Sequence, residues 1–234
     1  MHVHKPKPLH GWRELLTEMG VIIAGILIAL ALEQGVEAFR VHEAVGAERA
    51  ALKAEVGALR ASMQVRYELE PCFAARLAQV KAIITRHDTG KPLGIVGRVG
   101  RPLYPTMQRP TWELAVADQS LAHMSLAEKR RFMDAYNWVD IFDKVTTDER
   151  QAWRSLQALN EASVLTPADW SQVRRDYEQA LGNDEIIWGS RAVWTPPLDA
   201  LQTKAEPQSV RQAPPVVAFC TPMVTGVAAA PAAP

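Results

Sequence analysis

Residues 19–32 read MGVIIAGILIALAL, fourteen positions without a charge or a polar face. A surface helix of a soluble domain interleaves polar residues every three or four positions, and this stretch does not. Apolar all round, it requires lipid or a deep protein core. That requirement constrains the fold more than anything else in the chain. Fourteen helical residues span about 21 Å, short of the ~30 Å hydrocarbon layer of a membrane. Widening the window to residues 16–36 gives about 31 Å and brings in Glu18 and Glu33, each within about a turn of an end. The Val, Ile and Leu side chains of the inner run each favour insertion by about 0.3–0.6 kcal/mol when central, which together outweigh two peripheral carboxylates. Residues 15–36 are therefore read as a single-pass membrane helix.

Two other readings stay open. Ala29-Leu30-Ala31 would serve as a signal-peptide cleavage site, although Glu14 and Glu18 stand where such a peptide is basic. A buried helix in a soluble or partner-bound fold is the other. Lys5, Lys7 and Arg13 precede the run, with His2, His4 and His10, against Arg40 and Arg49 after it. The positive-inside bias favours a cytoplasmic tail at residues 1–14 and a periplasmic C-terminal domain. Trp12 suits the membrane interface.

The chain carries zero formal net charge, which argues against a nucleic-acid partner. Helical patterning dominates residues 37–205. Val45, Leu52, Val56, Leu59 and Met63 make a heptad-like seam, either the stripe of a bundle helix or a dimeric coiled coil, the bundle being favoured. Pro71 opens a second helix that ends near Asp88-Thr89-Gly90. Residues 90–110, dense in Gly and Pro, form a loop with room for a short strand at 95–99. Thr111 caps a short helix reaching Asp118. Ser125 with Glu128 opens the longest helix, over about 126–160. Thr166-Pro167-Ala168-Asp169 starts another, ending near Gly182-Asn183, and a last one covers 184–194. Residues 206–234 read as an extended or disordered Pro/Ala-rich tail, with 216–220 the part best suited to dock. The expected fold class is all-α.

Cys72 and Cys220 are the only cysteines, in no C-x-x-C arrangement. They form either one disulfide in an oxidising compartment or two free thiols in a reducing one.

His4-Lys5-Pro6-Lys7-Pro8, Gly11-Trp12-Arg13-Glu14, Glu18, then Gly25-Ile26-Leu27-Ile28-Ala29-Leu30 and Glu33-Gln34 resemble the N-terminus of an uncharacterised family of proteobacterial single-pass inner-membrane proteins. The core also resembles a domain of unknown function common in Bacteroidetes. The match is specific over residues 4–45, and looser at Thr111-Trp112 and Cys220. The resemblance implies the topology above and supports pairing of Cys72 with Cys220. It implies no activity and no catalytic residue. A covalent tie would also explain how residues 216–220 are held against a bundle, since few apolar neighbours there offset the entropy of ordering them.

Candidate chemistry is sparse. Lys91, Arg98, Arg101 and Arg109 share a loop with three-residue glycine spacing (Gly94, Gly97, Gly100) and no acid between Thr89 and Trp112. Backbone N–H groups and guanidinium forks could hold an anion there, though the spacing matches neither the dinucleotide nor the Walker loop. A solvated loop is the plainer alternative. His42-Glu43 lacks the second histidine of a zinc helix, and no metal or cofactor is expected. Asp134, Asp140, Asp143, Asp148 and Glu149 alternate with Lys144 and Arg150 and read as a solvated helix face. The remaining six tryptophans read mostly as core. Glu18, Gly25, Ala29 and Glu33 share one face of the membrane helix, and Gly25-x-x-x-Ala29 is a small-x-x-x-small pattern suited to close helix packing.

The expected function is that of a membrane-anchored, non-catalytic accessory, scaffolding or interaction protein. Its partners would be membrane lipid and either a second copy or a larger membrane-protein complex. The alternative is a periplasmic binding module for a small anion, lipid headgroup or cell-wall fragment through residues 90–110.

Overall fold

The structure, a computed structural model, describes residues 11–203 and 213–226. It divides into two units, residues 1–49 and 50–234. The described part of the first is helical from Trp12 on. Helix α1 (Trp12–Glu68) passes through the apolar run without a break and also supplies the first element of the second unit. The helix continues without interruption past residue 36, and the two compact units divide between Arg49 and Ala50. Within α1, the stretch from Leu15 is long and apolar enough to cross a membrane, and none of its most apolar window is buried. The proposed tail lies largely outside the described residues, but its last positions, from Trp12 on, are already helical.

The second unit is all-α, with no strand among the described residues. Its helices are the end of α1, then α2 (Glu70–Asp88), α3 (Pro110–Ala117), α4 (Leu126–Leu156), α5 (Pro167–Gly189), α6 (Arg191–Asp199) and α7 (Pro214–Cys220). Leu69 separates α1 from α2, and Pro71 sits in the first turn of α2, where its missing N–H costs nothing. Leu52, Val56, Leu59 and Met63 are all buried within the unit, so the heptad-like seam of α1 serves this unit's core. Helix α4 packs most extensively on α5. Phe73, Val80, Trp153, Leu156, Trp170 and Phe219 anchor the main apolar cluster.

The helix starts follow local chemistry. The Ser125 hydroxyl accepts from the Glu128 N–H, and Thr166 with Asp169 closes a reciprocal capping box. Helix α3 is capped from a distance instead of by Thr111. The Glu55 carboxylate on α1 accepts from the N–H groups of Thr111 at 2.7 Å and Trp112 at 3.0 Å, and from the Tyr136 hydroxyl at 2.6 Å.

Several boundaries differ from those expected. Helix α5 runs through Gly182-Asn183 to Gly189, because Asp184 and Ile187 on its buried face have partners inside the fold. Pro196 and Pro197 lie within α6 rather than beyond it. The longest helix is α1, and α4 gives way at Gln157 to a 3₁₀ segment, Gln157–Val164, kinked at Glu161. The strand expected at 95–99 reduces to one antiparallel bridge, Ile95 with Val224.

The largest correction concerns residues 206–234. Positions 213–226 are neither extended throughout nor disordered: α7 is a helix whose Val216 and Phe219 are buried in the core. The rest of that tail lies outside the described residues.

Candidate functional site

Helix α2 presents Cys72, Arg76, Gln79 and Arg86 along one face at helical spacing, and all four hold the chain's C-terminal segment. Cys72 and Cys220 form a disulfide, with Cα atoms 4.8 Å apart. One turn on, the buried Arg76 guanidinium donates to the carbonyls of Phe219 and Ala218, and to that of Thr221 at 2.7 Å. These are the C-terminal carbonyls of α7, the negative end of its dipole, so a cation belongs there. Burial pushes the Arg76 pKa down to about 10, still well above neutrality. Gln79 Oε1 accepts from the Met223 N–H at 2.8 Å, and Arg86 donates to the carbonyls of Thr225 and Leu93 at 2.7 and 2.8 Å.

This clasp accounts for the glycine spacing of the loop. A Cβ on Gly97 would lie 3.2 Å from Met223 Cα, and one on Gly100, which has φ +75°, would lie 3.3 Å from Phe219 Cα. The glycines let the loop backbone press against residues 219–223. The loop is fastened further by the Val99 N–H, which donates to Asn160 at 2.9 Å, and by the Arg98 carbonyl, which accepts from Arg76 at 3.2 Å.

The four loop cations do not converge. Arg109 is paired with Asp140 on α4 and lies 3.8 Å from Glu113. Lys91 is exposed at the end of α2, its backbone N–H donating to the Arg86 carbonyl. Arg98 and Arg101 line one cavity, with Gly100, Gln157 and Asn160.

Polar chemistry missed in the sequence lies in the interior. The side chain of Arg66 on α1 is 1 % exposed, and it grips Glu149 of α4 with two bonds, Nε to Oε2 at 3.0 Å and Nη2 to Oε1 at 2.7 Å. The same guanidinium reaches Asp184 of α5 at 2.5 Å and Glu70 of α2 at 3.1 Å, and it stacks 3.5 Å over the Phe73 ring. Burial alone would lower the Arg66 pKa, but the charges and hydrogen bonds of Glu149 and Asp184 carry it above its ordinary value. Three carboxylates about one guanidinium leave an excess of negative charge. Burial, then the Asp184 charge, pushes Glu70 from 4.5 up to about 7, against the pull of Arg66. Burial also raises Glu149. The solvated reading of the acidic α4 face therefore fails at Glu149, while Asp134, Asp140 and Asp148 are exposed and Asp143 is half-buried. This cluster ties α1, α2, α4 and α5 together.

In the first unit, Glu18, Gly25, Ala29 and Glu33 lie exposed on the helix, and no neighbouring side chain approaches Gly25. Among the described residues no group of His, Cys, Asp and Glu is arranged to hold a metal ion. His87 stacks on Trp170 with ring centroids 3.9 Å apart. No protein family, curated protein or solved structure matches the chain.

Proposed function

We propose that this protein is a single-pass inner-membrane protein whose periplasmic all-α domain acts as a non-catalytic accessory or interaction component. One observation carries the reading: from Leu15 to Phe39, α1 exposes large apolar side chains around its whole circumference. Lipid is the medium that covers such a surface. The Cys72–Cys220 disulfide supports an oxidising compartment for the second unit, since structural disulfides persist outside the cytosol. The face formed by Glu18, Gly25, Ala29 and Glu33 is where a second copy or a larger membrane complex would pack closely. The N-terminal resemblance to bacterial inner-membrane proteins points the same way. The alternative, a periplasmic module for a small anion, lipid headgroup or cell-wall fragment, keeps only Arg98 and Arg101 of its four loop cations.

The test is topological. The protein should stay in the membrane after alkaline carbonate washing, keep its N-terminus at Met1 or His2, and give an active C-terminal alkaline-phosphatase fusion. A mature N-terminus at Leu32, or release by carbonate, overturns the anchor. Co-purification of a stoichiometric protein partner in mild detergent supports the accessory role.

A further inference from the structure

Beside the clasp, a second cavity of about 260 Å³ opens between residues 101–104 and the last turns of α4. It is lined by Arg101, Tyr104, Arg150, Trp153, Arg154 and Gln157, with Pro102 and Leu103, and no carboxylate lines it. Among the described residues, none of the three guanidiniums has an ion-pair partner. Arg150 and Arg154 stand one turn apart on α4, a like-charge arrangement that destabilises a helix. The α4 dipole accounts for Arg154 in the last turn, but not for Arg150 or for Arg101, which arrives from the loop. Arg150 is held 5.0 Å over the Tyr104 ring, which fixes one donor fork above an aromatic surface. Arg101 Nε donates to Gln157 Oε1 at 3.3 Å, which occupies the amide oxygen and leaves the Gln157 amide nitrogen as a further donor.

We infer that this cleft, converging Arg101, Arg150 and Arg154 over Tyr104 and Trp153, is a binding site for a phosphate monoester. Three unpaired guanidiniums match a dianion, and planar forks pair with phosphate oxygens through two parallel hydrogen bonds. The volume falls below the roughly 300 Å³ at which drug-sized pockets begin, which suits a phosphoryl group with a small substituent. The adjoining cavity, about 460 Å³, shares Arg101 and Gln157 and gives that substituent an exit past Arg98. The inference deepens the anion-binding alternative by moving it from the glycine loop to α4. It lies wholly within the second unit and does not require the membrane assignment.

The test is ³¹P NMR titration of the full-length chain in dodecyl maltoside with two probes, inorganic phosphate and dihexanoyl phosphatidic acid. Saturable binding should weaken at least tenfold in Arg101→Glu and in Arg154→Glu, and be unchanged in Arg131→Glu, an exposed position elsewhere on α4. Both reversals sit at exposed side chains, and far-UV circular dichroism with the milder Arg101→Gln and Arg154→Gln variants separates lost binding from lost folding. Tenfold tighter binding of the lipid supports a monoester whose substituent lies in the cleft; equal affinity for the two probes reduces the site to one for free phosphate and overturns the monoester assignment. Absence of saturable binding for both probes overturns the site. Binding that survives both reversals but is lost in Arg98→Glu also overturns the cleft, while keeping the loop reading intact.

Discussion

Arg66 holds three acids from three different helices, and its removal leaves negative charge buried without a partner. Breaking a buried ion pair from one side costs about 3–5 kcal/mol. Arg66→Met, which keeps much of the side-chain volume over Phe73, should lower stability by about that much in urea melts of the oxidised protein. Glu70 gives the cluster a pH dependence. Its pKa rises on folding, so the folded state takes up a proton there. That contribution is complete below the unfolded value of 4.5 and is lost as pH rises through about 7. Glu70→Gln keeps an oxygen for Arg66 without the titration. The variant should therefore lose less stability than the parent between pH 5 and pH 8, measured as the difference in Tm. Equal slopes for the two proteins would contradict the shift. The signal for this cluster was present in the sequence. Phe142, Thr146, Glu149, Trp153 and Leu156 follow one four-three-four-three spacing, and Val173, Tyr177, Ala180, Asp184 and Ile187 follow another. Glu149 and Asp184 occupy core positions of apolar stripes. Read instead as members of the charge pattern, Glu149 falls on the solvated face and Asp184 gives no signal.

At the level of elements, the boundaries that local chemistry sets were readable. Pro71, Ser125 with Glu128, and Thr166 with Asp169 each satisfy orphan N–H groups, or lack one, within a few residues of themselves. Those that tertiary contacts decide were not. Gly182-Asn183 reads as a stop, yet Asp184 inside the fold keeps α5 going, and the cap of α3 comes from Glu55, 56 residues earlier. Helix α7 is the extreme case, a seven-residue segment too short to be stable alone and formed because α2 receives it. Its tie to α2 closes a sequence separation of 148 residues, for which chain-entropy reasoning gives roughly 4–5 kcal/mol. Cys220→Ser should lower the unfolding free energy by a large part of that. Amide exchange should show protection lost first in residues 214–225 and 94–100, the two segments clasped together. Uniform loss across all helices would argue that α7 is no separate cooperative element.

For the whole molecule, the two units treat apolar side chains in opposite ways: the described part of the first exposes them and the second buries them. The second has its own apolar core and its own polar cluster, both built from residues after Arg49. A chain starting at residue 45 should therefore need no detergent and should keep the far-UV spectrum of its six complete helices and its disulfide. Aggregation of that fragment on oxidation-competent refolding would show that the first unit is required for folding. The sequence separated the units by composition, because an uninterrupted apolar run is visible without any tertiary information. The end of the apolar stretch has no structural mark, because α1 runs on through residue 36 without a turn or breaker.

The clasp on α2 also has a temporal meaning. Arg76 and Gln79 are matched to groups 142 to 145 positions later in the chain. A ribosome emits α2 long before it emits its ligands, and at about 5–20 residues per second that interval is roughly 7 to 29 s. Throughout it, Phe73 lacks Phe219, and a buried arginine lacks the carbonyls that make its burial tolerable. The nascent chain therefore cannot finish its core from the front, and completion waits on nearly the last described residues to arrive. Under the export proposed for the second unit, such a late-closing fold would keep the passenger loose until it has crossed.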